Sequence, residues 1–116
     1  MKRIIIAEDD PAIKDVMELI SKRGGYEATI YTNADLILNN KFDEPDIFII
    51  DRQLPGVDGL DVCRFLKSRK NPQTPVIVFS ANPRINKMAK EAGADEFLEK
   101  PFEIKVLLEM IERLTA

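Results

Sequence analysis

Two hydrophobic periods alternate along this chain, and that alternation restricts its fold more than any other feature. Short apolar runs at 3–7, 46–50 and 76–79 and a stretch rich in β-formers at 26–32 have the length and composition of strands, and 95–99 is read as a short fifth strand. Between them, apolar residues recur at helical spacing. Asp10 is placed to cap a first helix with Pro11 in its opening position; Ile13, Val16, Met17 and Ile20 follow on one face, and Gly24-Gly25 stops it. Asn33 is placed to cap a second helix running to about Lys41. A loop marked by Pro55, Gly56 and Gly59 leads to a third helix, with Leu60, Val62, Cys63, Phe65 and Leu66 on its apolar side. Pro83 starts a fourth, ending near Gly93. Pro101 ends the fifth strand, and a last helix spans 103 to about 114 with Ile104, Leu107, Leu108 and Ile111 inward. Five strands alternating with five helices predict an α/β fold, a doubly wound parallel sheet with right-handed crossovers and helices on both faces. No repeat or linker interrupts the pattern, so residues 1–116 are read as one domain.

Composition narrows the function. Apolar residues make up 45% of the chain and charged residues 32%, with a net charge of −3. The apolar content argues against disorder, and the charge balance argues against direct nucleic-acid binding. No apolar run approaches the roughly 20 residues that span a bilayer, and 4–7 is too short for a signal peptide, so no membrane contact is expected. Cys63 is the one cysteine and cannot form an intramolecular disulfide; it and Met88 are read as packing residues. A cytoplasmic location fits. The absence of histidine removes histidine bases, Ser-His-Asp triads and imidazole metal ligands. Any metal site must use oxygen ligands, which favours Mg²⁺, Mn²⁺ or Ca²⁺.

In doubly wound sheets ligands bind beyond the carboxyl ends of the strands, where the strand order reverses. The first predicted strand ends at Glu8-Asp9-Asp10, the third at Asp51, the fourth at Ser80 and the fifth at Lys100. An acid after a strand is ordinarily a helix cap or a loop residue, and Asp10 is assigned that role. If the first and third strands flank the reversal point, Glu8, Asp9 and Asp51 converge. Three close carboxylates repel one another, and a divalent cation relieves the conflict. Lys100 beside them is either a counter-ion or a phosphoryl ligand.

Four blocks carry a family resemblance: Ile4-Ile5-Ile6-Ala7-Glu8-Asp9-Asp10; Ile49-Ile50-Asp51 with Leu54-Pro55-Gly56-Val57-Asp58-Gly59; Val78-Phe79-Ser80-Ala81; and Lys100-Pro101-Phe102. In order and spacing they resemble the signature blocks of bacterial response-regulator receiver domains, across essentially the whole chain. The resemblance implies a flavodoxin-like (βα)5 three-layer sandwich with strand order 2-1-3-4-5. It implies Asp51 as phosphoacceptor, Asp9 as a direct Mg²⁺ ligand (Mn²⁺ serving as well), Glu8 as an acid acting partly through water, and the Gln53 backbone carbonyl as a further ligand. Ser80 and Lys100 would bind phosphoryl oxygens, and Ser80 with Phe97 would form the switch, Phe97 biased inward. Arg52 and Asn82 fall where phosphoryl lifetime is tuned. The Lys100–Pro101 bond is expected to be cis.

The implied function is phosphoacceptor signalling in a two-component system. A sensor histidine kinase or phosphotransfer protein, docking near the first helix and the loop after the fifth strand, would donate the phosphoryl group. The face built from the fourth helix, fifth strand and fifth helix would then act on an output protein or domain. The chain would catalyse only its own phosphorylation and dephosphorylation. With no output element after the fifth helix, it reads as a stand-alone or excised receiver. The leading alternative is a degenerate receiver that binds partners without phosphorylation. A metal-dependent phosphatase or nuclease commonly has a second acid where Gln53 stands. A nucleotide binder would want a phosphate-friendly first loop, and Glu8-Asp9-Asp10 repels phosphate.

Overall fold

The computed structural model describes residues 1–70 and 72–116. Its main sheet has five strands: β1 Arg3–Ala7, β2 Glu27–Tyr31, β3 Ile47–Asp51, β4 Val76–Ser80 and β5 Glu96–Glu99. All neighbouring strands are parallel and the spatial order is β2-β1-β3-β4-β5. Parallel pairing follows from the helical crossovers, α1 Pro11–Gly24, α2 Asp35–Leu38, α3 Gly59–Ser68 and α4 Asn86–Glu91, with α5 Ile104–Leu114 closing the chain. This is the doubly wound arrangement expected.

Strand alternation sorts the core into two layers. Ile5, Ala7, Phe48, Ile50, Val76 and Val78 face the side covered by α2, α3 and α4. Ile4, Ile6, Ile47, Ile49, Ile77 and Phe79 face Met17 and Ile20 of α1 and Leu107 and Ile111 of α5. Every residue of β3 and β4 is buried, including the terminal Asp51 and Ser80, whereas edge strand β2 buries none fully. Fully burying an Ile, Val or Phe contributes about 1.5–3 kcal/mol. The two central strands therefore anchor the loops that carry polar residues at their ends.

Local signals account for the helix ends. Asp10 caps α1, its Oδ1 accepting from the Ala12 amide at 2.8 Å and the Ile13 amide at 3.4 Å. Gly25 ends it with φ 74, a conformation in which a Cβ would be strained. Asp58 caps α3 through the Leu60 amide at 2.9 Å.

Several expectations need correction. The second helix ends at Leu38, not near Lys41, because the chain turns through Asn40 at φ 58 and the Lys41 amide bonds back to the Leu36 carbonyl. Asn33 lies one residue before the capping position and accepts from the Asp35 amide at 2.9 Å. The fourth helix opens as a 3-10 turn, Pro83–Ile85, capped by Asn82, before α4 begins. Val16 and Met88 are exposed, at 41% and 43%, where packing roles were expected. The 53–58 segment adds a small antiparallel ribbon, Gln53–Leu54 against Val57–Asp58, turning at Gly56 with φ 75. Among the described residues, no helix is long and apolar enough to cross a membrane.

Candidate functional site

The strand order builds the site. From β1 the chain crosses to β2 on one side, and from β3 it crosses to β4 on the other. The loops after β1 and β3 therefore part, leaving a crevice at their carboxyl ends. Ala7 pairs in register with Ile50, so the next residues, Glu8 and Asp51, stand level across it. Carboxylate oxygens of Glu8, Asp9 and Asp51 lie within 4.8 Å of one another. Glu8 is fully buried, Asp51 is 4% exposed and Asp9 faces solvent.

Lys100 reaches in from the end of β5. Its Nζ donates to Glu8 Oε1 at 3.3 Å and to Asp51 Oδ2 at 3.2 Å, and lies 4.5 Å from the centroid of the Phe79 ring. The peptide bond from Lys100 to Pro101 is cis, and the Lys100 amide donates to the Ser80 carbonyl at 2.9 Å. The second oxygens of Glu8 and Asp51 are held by backbone amides. Glu8 Oε2 accepts from Asp9 at 2.9 Å and Asp10 at 3.3 Å, and Asp51 Oδ1 accepts from Gln53 at 3.2 Å.

One lysine faces three acids, two of them buried. Burial pushes the Glu8 carboxyl up to about 7, and the neighbouring Asp51 adds to the rise, while the Lys100 charge and the Asp10 amide oppose it. The donors are all hard oxygens with an excess of negative charge, the chemistry that suits Mg²⁺ rather than a thiolate- or imidazole-seeking metal.

The other expected residues divide into two groups. Ser80 joins the site: with Asp51, Arg52, Gln53, Asn82 and Lys100 it lines a cleft of ≈ 250 Å³ beside the carboxylates. Its Oγ accepts from the Asn82 amide at 3.1 Å. Asn82 is also occupied as a cap, accepting from the Arg84 amide at 3.0 Å. Arg52 leans away toward Asp58, at 3.5 Å. Phe97 lies on the opposite face from Lys100, in register with Val78. It is half-buried against the core layer under α3 and α4.

Two contributors carry no site role in the sequence reading. Gly59 packs so closely under the phosphoacceptor segment that a Cβ there would overlap the Asp51 carbonyl oxygen and lie 2.7 Å from the Arg52 Cα. Its pairing with Pro55 and Gly56 reads only as a loop. Phe79 reads as an ordinary core residue, because an aromatic in an apolar run carries no mark of what lies above its ring. Beside Lys100, an apolar groove of ≈ 340 Å³ runs between Ile13, Val16, Ala81, Pro101 and Phe102.

Known proteins agree with this geometry. A family model described as "Response regulator receiver domain" matches residues 4–112. The receiver domain of a signal transduction histidine kinase from Syntrophus aciditrophicus is 30% identical, with a TM-score of 0.88 over 99% of this chain and 90% of that one. A Chloroflexus aurantiacus J-10-fl protein described as a response regulator is 26% identical, with a TM-score of 0.91 over 99% and 98%. The receiver domain of sensor histidine kinase PA1611 from Pseudomonas aeruginosa PAO1, with magnesium coordinated in its active-site cleft, shares the fold at 24% identity. Its TM-score is 0.88 over 98% and 97%. With the family model spanning nearly all of the chain and the acidic crevice where that fold places its site, this chain belongs to the response-regulator receiver domains of two-component signalling.

Proposed function

We propose that Asp51 is the phosphoacceptor of this receiver and that its donor is a phosphohistidine on a partner sensor kinase or phosphotransfer protein. One observation carries the reading: three carboxylates within 4.8 Å of one another, with Lys100 bridging the two buried ones. Asp9, Asp51 and the Gln53 carbonyl would hold Mg²⁺ directly, with Glu8 acting partly through water. The bound ion supplies charge neutralisation between the carboxylates and the incoming phosphoryl oxygens.

An Asp51 carboxylate oxygen attacks phosphorus. The O–P bond forms as the donor P–N bond breaks, and its electron pair returns to the imidazole nitrogen. The imidazole, protonated at its other nitrogen, leaves neutral. Ionised Asp51 needs no base, so a chain without histidine can run the step. Charge collects on the phosphoryl oxygens, and the residues here position and neutralise it. The Lys100 ammonium, already pointed at Asp51, pairs with one oxygen and the Ser80 hydroxyl donates to another.

Partner docking falls on the groove of Ile13, Val16, Ala81, Pro101 and Phe102, whose apolar lining opens beside Lys100. Output runs through Ser80 and Phe97 to the α4-β5-α5 face, by shifting an equilibrium that exists before phosphorylation. The chain acts as a regulatory phosphoacceptor in the cytoplasm, where ATP charges the donor, and catalyses no reaction beyond its own modification.

Intact-mass measurement after acetyl phosphate and Mg²⁺ tests the reading. The expected result is a gain of one phosphoryl group, lost in Asp51→Asn and on omitting the metal. No gain in the native protein would favour a receiver that binds partners without phosphorylation.

A further inference from the structure

We infer that Phe79 is a positioning residue for Lys100, its ring face holding the ammonium over Asp51. The inference rests on the proposed function for what that position accomplishes, and on sheet geometry for the position itself. Lys100 follows β5, Asp51 ends β3, and β4 lies between them. Two strand spacings, roughly 10 Å, separate the outer pair. The lysine must therefore reach across β4 on the face shared by Asp51, Phe79 and Leu98. In register, Phe79 is the partner of both Asp51 and Leu98. Residue 79 is thus the side chain over which the lysine stem has to pass.

A phenylalanine there does more than fill space. Lys100 Nζ lies 4.5 Å from the ring centroid, within the roughly 6 Å over which an aromatic face attracts a cation. Phe79 is fully buried, and Phe102 stands against it at 88° with centroids 6.4 Å apart, so the ring cannot turn away. The ammonium is largely shielded, at 18% side-chain exposure, which strengthens the attraction relative to a solvated site. Three partners then fix its place: Glu8, Asp51 and the ring. When phosphoryl oxygens draw Lys100 from its carboxylates, the ring remains as the contact that keeps it above the reacting oxygen.

Phenylalanines carrying one, two and three fluorines at position 79 keep the shape of the ring while weakening its negative face step by step. The phosphorylation rate with acetyl phosphate and Mg²⁺ is expected to fall progressively, by about tenfold at full substitution. The Lys100 side-chain NMR resonances, displaced by the ring current in the native protein, should drift in the same order. Phe79→Leu should abolish that displacement, and denaturant midpoints across the series report any general loss of fold. Flat rates across the fluorinated set, or native Lys100 resonances without a ring-current displacement, would overturn the inference. If the native protein takes up no phosphoryl group, the proposed function fails, and the Lys100 resonances alone decide whether Phe79 positions the lysine.

Discussion

Raising the pH from 6 to 8 should tighten Mg²⁺ binding about tenfold, with most of the gain below pH 7. The reason is the Glu8 carboxyl, buried beside Asp51 and raised to about 7 from an ordinary 4.5. Cation binding needs it ionised. At pH 6 about nine molecules in ten carry its proton, so binding must first release it, whereas at pH 8 the proton is already gone. The same group sets the stability of the metal-free protein with the opposite sense. Its folded value lies above its unfolded value, so between pH 4.5 and about 7 the folded state holds a proton that the unfolded chain releases. Stability from this group is therefore complete below about pH 4.5 and declines as pH rises to about 7, by about 3 kcal/mol. Calorimetric Mg²⁺ titrations at several pH values, each in two buffers of different ionisation enthalpy, measure both the affinity and the proton released. Glu8→Gln should flatten the affinity profile between pH 6 and 8. A native profile that is already flat, or a Glu8→Gln profile that keeps the tenfold rise, would refute the assignment.

Two further substitutions separate binding from transfer. Lys100→Met removes the cation that bridges Glu8 and Asp51, so Mg²⁺ affinity should hold or increase. Phosphorylation from acetyl phosphate should slow on the order of a hundredfold, because a charged donor to the transferring group is lost; equal losses in both would show that the lysine only supports the fold. Gly59→Ala drives a methyl into the backbone of Asp51 and Arg52, which has little freedom to move, and should cost about 1–3 kcal/mol or more in urea unfolding. An unchanged midpoint would mean that the loop relaxes freely.

Much of this arrangement was legible in the sequence where a single physical cause dominates. The 47–50 and 76–79 runs read as strands because an unbroken apolar run of that length suits a strand covered on both faces, and β3 and β4 are buried at every position. Asp10 with Pro11 marked the start of α1 because capping is local chemistry. Glu8, Asp9, Asp51, Ser80 and Lys100 were found by asking what ends each strand, a question the doubly wound topology makes meaningful. Features decided by tertiary contact were not legible. Val16 has the spacing of a core residue yet looks outward into the groove by Pro101. Met88 is likewise turned to solvent on a short α4. The second helix stops after one turn because Asn40 takes a left-handed conformation, which the sequence permits without requiring. Phe79 acts through Lys100 across the sheet and Gly59 through the Asp51–Arg52 backbone packed against it, and sequence spacing marks neither contact.

Borohydride reduction converts an aspartyl phosphate to homoserine and so records which carboxylate carried the phosphoryl group. Protein treated with acetyl phosphate and Mg²⁺, reduced, digested and sequenced by tandem mass spectrometry should show homoserine at position 51, with aspartate retained at 9, 10 and 58. Homoserine at another position, or at none while intact mass shows phosphorylation, would contradict the assignment of Asp51 as the phosphoacceptor.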